Sequence, residues 1–223
     1  MPTTPALLRR TVLAHASAPE NVGPELRRRL IDCWIAVTNA GGSAGFPFPP
    51  VTEADVAPVT DTLLGRLAPD GHRLITATVG RRLAGWVVLG HDPNPLVAHW
   101  GTVHHLQTHP DSRGLGLGAA LMRELHRLAR DELSLTRLRL AVRGGEGLES
   151  FYGSLGWTET GRWPNALRLG PAPEDTRDEV LMGLELRPEA GSFMVDAPGP
   201  GPCSSRPVRA SPTACGWCDG SPA

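Results

Sequence analysis

The chain contains no lysine; all 22 of its basic side chains are arginine. That absence excludes Schiff-base chemistry and a G-x-x-x-x-G-K-[ST] phosphate loop, whose lysine reaches the terminal phosphates. Tyrosine occurs once, at Tyr152, so any tyrosine chemistry has one address. No apolar run approaches the ~20 residues that cross a bilayer, and residues 1–11 lack the apolar centre of a secretory signal. The expected location is therefore the cytoplasm, with no membrane partner. Neither charge sign dominates: 22 basic against 23 acidic side chains leave a net charge of −1, and without a basic patch no nucleic-acid partner is expected. Cysteine is scarce too. Cys33 falls in an apparent helix, while Cys203, Cys215 and Cys218 lie near the end. Cys215-Gly216-Trp217-Cys218 has no second pair and no histidine at finger spacing, so no metal is expected. The lack of lysine beside 26 glycines and 22 prolines reads as the codon bias of a GC-rich, bacterial genome.

What the chain does have is concentrated between Leu106 and Leu121, LQTHPDSRGLGLGAAL. A strand-like run ends at His109-Pro110, a polar turn follows, and Arg113-Gly114-Leu115-Gly116-Leu117-Gly118 opens directly into a helix. Glycines at alternate positions let backbone N–H groups converge unobstructed. The helix N-terminus adds partial positive charge and Arg113 a full one. This is a seat for a pyrophosphate. A dinucleotide fingerprint needs G-x-G-x-x-G and a carboxylate ~20 residues on, after a second strand. Here the glycines run G-x-G-x-G, and the next strand, Leu138 to Val142, carries no carboxylate.

The rest reads as one domain over residues 5–187 followed by a tail, 188–223, whose Pro, Gly, Ser and Ala content leaves it short of apolar periodicity; such a tail is expected to be disordered. Leu26, Leu30, Trp34 and Val37 predict a helix opened by Pro24 and closed by Gly41-Gly42. Thr52 and Asp55 form a capping box for a second helix, with Val56, Val59, Leu63 and Leu67 inward. Strands are expected at Arg73–Val79, Leu83–Gly90, Val97–Thr108, Leu138–Val142, Trp157–Trp163 and Glu179–Leu186, with an N-terminal one near Leu7–Ala14. A helix with Leu117, Leu121, Leu125 and Leu128 on one side follows the glycine loop, and a short one covers Glu149–Leu155. Strict strand alternation puts Thr102, His104 and Leu106 on one face and Val103, His105 and Gln107 on the other.

Three matches in correct order carry a family resemblance. Arg113 to Ala119 resembles the Q/R-x-x-G-x-G/A loop of the GNAT superfamily, the acetyl-CoA-dependent N-acyltransferases. Phe151-Tyr152-Gly153-Ser154-Leu155-Gly156-Trp157 is similar to that family's F-Y-x-x-x-G-F segment, and the intervening helix and strand hold the two at the usual separation. The resemblance implies an α/β (α+β) fold: a mixed, mostly antiparallel sheet, helices on both faces, and two strands splayed apart to admit acetyl-CoA as cosubstrate. In the family the pantetheine arm pairs with backbone groups at positions matching Leu106 and Thr108, with Gln107 between them. The phosphates meet the N–H groups of Gly114, Leu115, Gly116, Leu117, Gly118 and Ala119, beside the charge of Arg113.

The implied reaction is direct attack by a primary amine on the thioester, which requires a neutral amine and an acid for the departing thiolate. Tyr152 matches the family's acid. Many members carry a glutamate as base at the position of Thr102, which cannot serve; arylalkylamine-type members carry histidine on this strand, which makes His104 the candidate, ahead of His105 or a water. The asparagine many members place before the Phe-Tyr pair is Gly145 here, where Glu149 and Ser150 are candidate substitutes. Phe46, Phe48, Trp100, Thr102 and Trp163 are the candidate acceptor-side residues. Gly41 to Phe46, paired with Trp163-Pro164, resembles the tabtoxin-resistance acetyltransferase subgroup and suggests a small, amino-acid-like amine as partner. A homodimer is compatible with the chain. Two other classes stay open: a catalytically inactive acyl-CoA-binding sensor, because the usual glutamate is absent, and a dimerisation module stabilised by CoA.

Overall fold

The computed structural model describes residues 11–42, 45–46 and 49–186; the expectations for the 188–223 tail, its three cysteines and Phe48 lie outside them. Among the described residues seven strands form one sheet in the spatial order β1-β2-β3-β4-β5-β7-β6: β1 Thr11–Ala16, β2 Arg73–Val79, β3 Arg82–His91, β4 Trp100–Thr108, β5 Arg137–Arg143, β6 Thr158–Arg168 and β7 Thr176–Glu185. Every neighbouring pair is antiparallel except β4 with β5. Helices α1 (Pro24–Asn39) and α2 (Glu53–Leu64) cover one face; α3 (Leu117–Arg127) and α4 (Leu148–Gly153) cover the other. No helix among the described residues is long and apolar enough to cross a membrane.

Alternation on β3 divides the core in two. Val87 and Leu89 join Leu121, Leu125, Leu128, Leu140 and Tyr152 beneath α3 and α4, whereas Trp86 and Val88 join Leu30, Trp34 and Val37 beneath α1. Burial on both faces explains why β3 reads as a continuous apolar run rather than an alternating one. Cys33 belongs to the second cluster, where burial pushes its thiol up to about 12, so it is an inert packing group. The capping box on α2 is present: Asp55 accepts the Thr52 N–H at 2.8 Å.

Several boundaries differ from the sequence reading. Residues 97–99 form a turn anchored on the Asn94 carbonyl, so β4 starts at Trp100. Strands β6 and β7 extend further toward their connecting loop, to Arg168 and from Thr176. On α2 the buried residues are Val56, Thr60 and Leu64, spaced by four, and Val59 is 41% exposed. Thr60 fits this apolar face because its hydroxyl donates to the Val56 carbonyl at 2.9 Å.

The largest correction concerns alternation on β4. Val88 faces His104 and Trp86 faces Gln107, so one residue of β3 stands opposite two of β4, His105 and Leu106. His105 takes φ +54°, the local conformation of this bulge. The bulge reverses parity. Leu106 moves to the face of Val103, packing against the α3 cluster, while Gln107 shares the register side of Trp86. His104 and His105 consequently border the same α1/α2 side. Gly85 permits the close approach behind this bulge: a Cβ there would stand 2.6 Å from the Gln107 carbonyl oxygen and 3.1 Å from Leu121 Cδ1. Gly85→Ala is expected to cost about 1–3 kcal/mol, read as a lowered Tm in thermal melts.

Candidate active site

The site originates in a fault in the sheet. The parallel pairing of β4 and β5 is confined to Trp100↔Arg137, Gly101↔Leu138 and Thr102↔Arg139. Beyond Thr102 each strand keeps its outer partner, β4 with β3 and β5 with β7, but the two no longer meet. Their facing edges from 103 to 108 and from 140 to 143 present backbone groups to the gap, the template on which an extended ligand adds as a strand. A cavity of about 850 Å³ occupies this gap, reaching Val37, Gly41 and Gly45 on one side of the sheet and Phe151 and Tyr152 on the other.

At one end of the cavity lies the glycine loop. A 3-10 turn, Pro110–Ser112, is tied down by Arg82, whose Nη2 donates to Asp111 at 2.8 Å. His109 accepts the Asp111 N–H at 3.3 Å, so it serves the turn. Gly114 and Gly116 take φ +73° and +76°, a conformation that costs side-chain-bearing residues 1–2 kcal/mol. With the chain so turned, the N–H groups of Gly114, Leu115 and Gly116 donate to no backbone carbonyl among the described residues. Those of Leu117, Gly118 and Ala119 are the first-turn donors that α3 cannot satisfy itself. Arg113 lines the cavity and pairs with no carboxylate among the described residues. Gly42 lets it sit against the end of α1: a Cβ there would be 3.4 Å from Arg113 Nη2 and 2.7 Å from Val37 Cγ1.

Across the cavity, α4 delivers Tyr152. It is 7% exposed, edge-on to Phe151 at 5.0 Å and to Trp157 at 6.0 Å. Its hydroxyl has no hydrogen-bond partner among the described residues, and burial pushes its pKa up to about 12. Tyr152 is thus a neutral O–H donor held at the cavity wall. Phe151 reaches 3.3 Å from where a Gly118 Cβ would stand, so glycine there lets α3 and α4 close together. At Gly145, φ +81°, the N–H donates to Glu149 Oε1 at 3.2 Å. Glu149 is therefore engaged with the backbone of its own loop.

The two histidines differ in surroundings. His105 packs its ring 4.8 Å from Trp34, beside Gly45; burial and the neighbouring His104 hold it down at about 4. His104 stacks on His72 at 6.0 Å and closes on Gly90, where a Cβ would meet Nε2 at 2.9 Å. Burial pushes its pKa below the usual histidine value, aided by the charges of His72, Arg139 and Arg66. Neutral, and bordering the main cavity, His104 can accept a proton. It also borders a second cavity of about 340 Å³, shared with Thr102, Trp100, Arg139, His72 and Asp92.

Of the other candidates, Leu106, Gln107, Thr108 and residues 113, 114 and 116–119 line the main cavity together with Thr102. Phe46 packs edge-on against Trp34 at 5.2 Å, at the margin of the α1 core. Trp163 is 66% exposed on β6 and borders none of the cavities described. Sequence reasoning placed Gln107 among the cofactor-side residues only as the neighbour of Leu106 and Thr108, yet it is 2% exposed and neither carboxamide atom has a hydrogen-bond partner among the described residues. It also passed over Arg139, which neighbours Thr102 only through strand register.

These features meet the demands of acetyl-CoA: N–H groups and a guanidinium that, among the described residues, have no backbone-carbonyl or carboxylate partner, for phosphates; an open strand edge for an amide-bearing arm; and an O–H at the wall. A family model described as acetyltransferase (GNAT) family matches residues 40–157. No curated protein matches the chain. Among solved structures, the acetyltransferase of GNAT family from Streptococcus pneumoniae is 18% identical with a TM-score of 0.59, covering 78% of this chain and 99% of that one. The ribosomal-protein-S18-alanine N-acetyltransferase from Escherichia coli is 18% identical with a TM-score of 0.56, covering 82% and 99%. A Salmonella typhimurium structure with its cofactor acetyl-CoA is 15% identical with a TM-score of 0.60, covering 83% and 99%. At these identities the likeness is one of fold.

Proposed function

The chain belongs to the acetyltransferase (GNAT) family, and from that premise we propose that it acetylates the primary amine of a small molecule, with His104 as proton acceptor and Tyr152 as proton donor. As a member of the family it uses acetyl-CoA as cosubstrate, which supplies an activated acetyl thioester. The observation that carries the reading is the through-sheet cavity, which brings the glycine loop, Tyr152 and His104 onto one continuous wall.

Each residue has a task its surroundings suit. The N–H groups of residues 114–119 and the Arg113 guanidinium hold anionic oxygens. Leu106 and Thr108 offer backbone groups on the open edge of β4. A ring nitrogen of neutral His104 takes the proton that the acceptor nitrogen must shed to attack. Tyr152 Oη, without a competing partner among the described residues, supplies a proton to the leaving thiolate. The smaller cavity beside His104, at about 340 Å³, suits a small acceptor.

Thermal melts with and without acetyl-CoA test the cosubstrate assignment. Ligand at a hundred times its Kd adds about 2.7 kcal/mol, a rise of several degrees in Tm. Gly116→Val is expected to lose most of that rise, because valine at a positive φ turns the loop amides away. No rise for the unmodified protein would overturn the assignment. A thiol-release assay with acetyl-CoA over an amine panel then separates an enzyme from an inactive acyl-CoA sensor.

A further inference from the structure

Strand β5 presents Arg137, Arg139 and Arg143 on one side, alternating with buried Leu138, Leu140 and Val142. Arg137 pairs with Glu185 at 2.9 Å and Arg143 with Glu146 at 3.0 Å. Arg139, between them, pairs with no carboxylate among the described residues. It is nonetheless held in place. Its Nε donates to Thr102 Oγ1 at 3.1 Å, and its guanidinium carbon stands 3.7 Å from the centre of the Trp100 ring. One contact fixes the inner edge of the guanidinium and the other fixes its plane. Its two Nη groups, the fork that matches an oxyacid, have no hydrogen-bond partner among the described residues.

The position of this fork matters. Arg139 lines the 340 Å³ cavity, and Thr102 and His104 border both that cavity and the main one. The guanidinium thus lies beyond His104 as approached from the cosubstrate gap. Basic and imidazole side chains predominate around it: Arg66 and His72 border a neighbouring cavity that His104 also lines, and His72 and His91 border this one. The single carboxylate on that cavity wall, Asp92, accepts the Asn94 N–H at 2.9 Å. A site so equipped disfavours a polycation and attracts an anion.

We propose that Arg139 is a specificity residue that binds an anionic oxyacid group, a carboxylate above all, on the acceptor, so that the enzyme's substrates are small amino acids rather than simple amines. This rests on the acetyl-transfer reading above. Thr102 and Trp100 act as positioning residues for the guanidinium, which accounts for a threonine and a half-buried tryptophan stacked on the arginine at the mouth of the splay.

The test compares kcat/KM on matched acceptors in the thiol-release assay: phenylalanine with phenethylamine, tyrosine with tyramine, tryptophan with tryptamine, and γ-aminobutyrate with propylamine. Aminomethylphosphonate and glycine form a separate arm that distinguishes phosphonate from carboxylate. The unmodified enzyme is expected to favour the acid of at least one pair by tenfold or more. Arg139→Gln is expected to reduce that preference about 30-fold, the magnitude of a charge-assisted hydrogen bond, mainly through KM for the acid. Arg139→Lys should fall between, and Arg81→Gln, at the β2–β3 turn, should leave the ratio unchanged. A preference for amines, or an acid preference that survives in Arg139→Gln, overturns the proposal. So does an enzyme that melts higher with acetyl-CoA yet acetylates no acid in the panel. Absence of that melting shift instead overturns the acetyl-CoA assignment, and the proposal with it.

Discussion

Replacing Tyr152 with phenylalanine is expected to lower kcat about a hundredfold while Tm and the stabilisation by acetyl-CoA stay nearly unchanged. Proton transfer by a positioned side chain contributes ~10²–10⁴-fold, and a thiolate is a good enough leaving group to put this loss at the lower end. The structural cost is small for a specific reason. The hydroxyl makes no hydrogen bond within the described protein, so its removal orphans no buried partner there. The ring keeps its edge-on contacts with Phe151 and Trp157. Burial holds the phenol near 12, so it is a proton donor throughout the neutral range, and its loss should scale the rate without shifting the pH profile there. Parallel measurement of kcat, Tm and the acetyl-CoA melting shift checks this. A variant with wild-type kcat across several acceptors would remove Tyr152 from the mechanism and leave it as packing for α4.

The features that the sequence displays are those with local causes. Gly114 and Gly116 mark positive φ, the apolar spacing of Leu117, Leu121, Leu125 and Leu128 marks the face of α3, and Thr52 with Asp55 marks the start of α2. The bulge on β4 left no such mark. Its left-handed residue is His105 rather than glycine, so two-residue alternation through it looked regular and put Leu106 and Gln107 on the wrong faces. The same bulge sets His104 and His105 side by side, a consequence visible only once the pairing with Trp86 and Val88 is known. Arg139 was hidden for a different reason. One arginine among 22 is unremarkable; what distinguishes it is that no carboxylate among the described residues pairs with it, and neighbours across parallel strands come from register, not from spacing along the chain. Gln107 likewise reads as an ordinary polar residue until the parity change buries it beside Trp86.

Replacing His104 with glutamine is expected to lower kcat/KM about a hundredfold near neutral pH and to abolish the acidic limb of the pH profile. Below its pKa the ring is cationic and cannot accept a proton; above it the ring is neutral and can. Burial is the first cause holding that pKa below the ordinary histidine value, followed by the charges of His72, Arg139 and Arg66. The wild-type rate should therefore rise with pH through a limb lying below the usual 6.5 and then level. The Gln variant should instead track the protonation of the free acceptor amine, still rising where the wild type is flat. Because Arg139 is one of the charges that depress His104, Arg139→Gln should move the wild-type limb to higher pH, toward the ordinary histidine value. The direct neighbour His105 provides the contrast. Its ring is packed on Trp34 and pushed to about 4, so His105→Gln should lower Tm more than it alters the profile. If the acidic limb persists in His104→Gln but disappears in His105→Gln, the proton acceptor is the bulge residue, and the cavity beside Arg139 loses its claim to the acceptor.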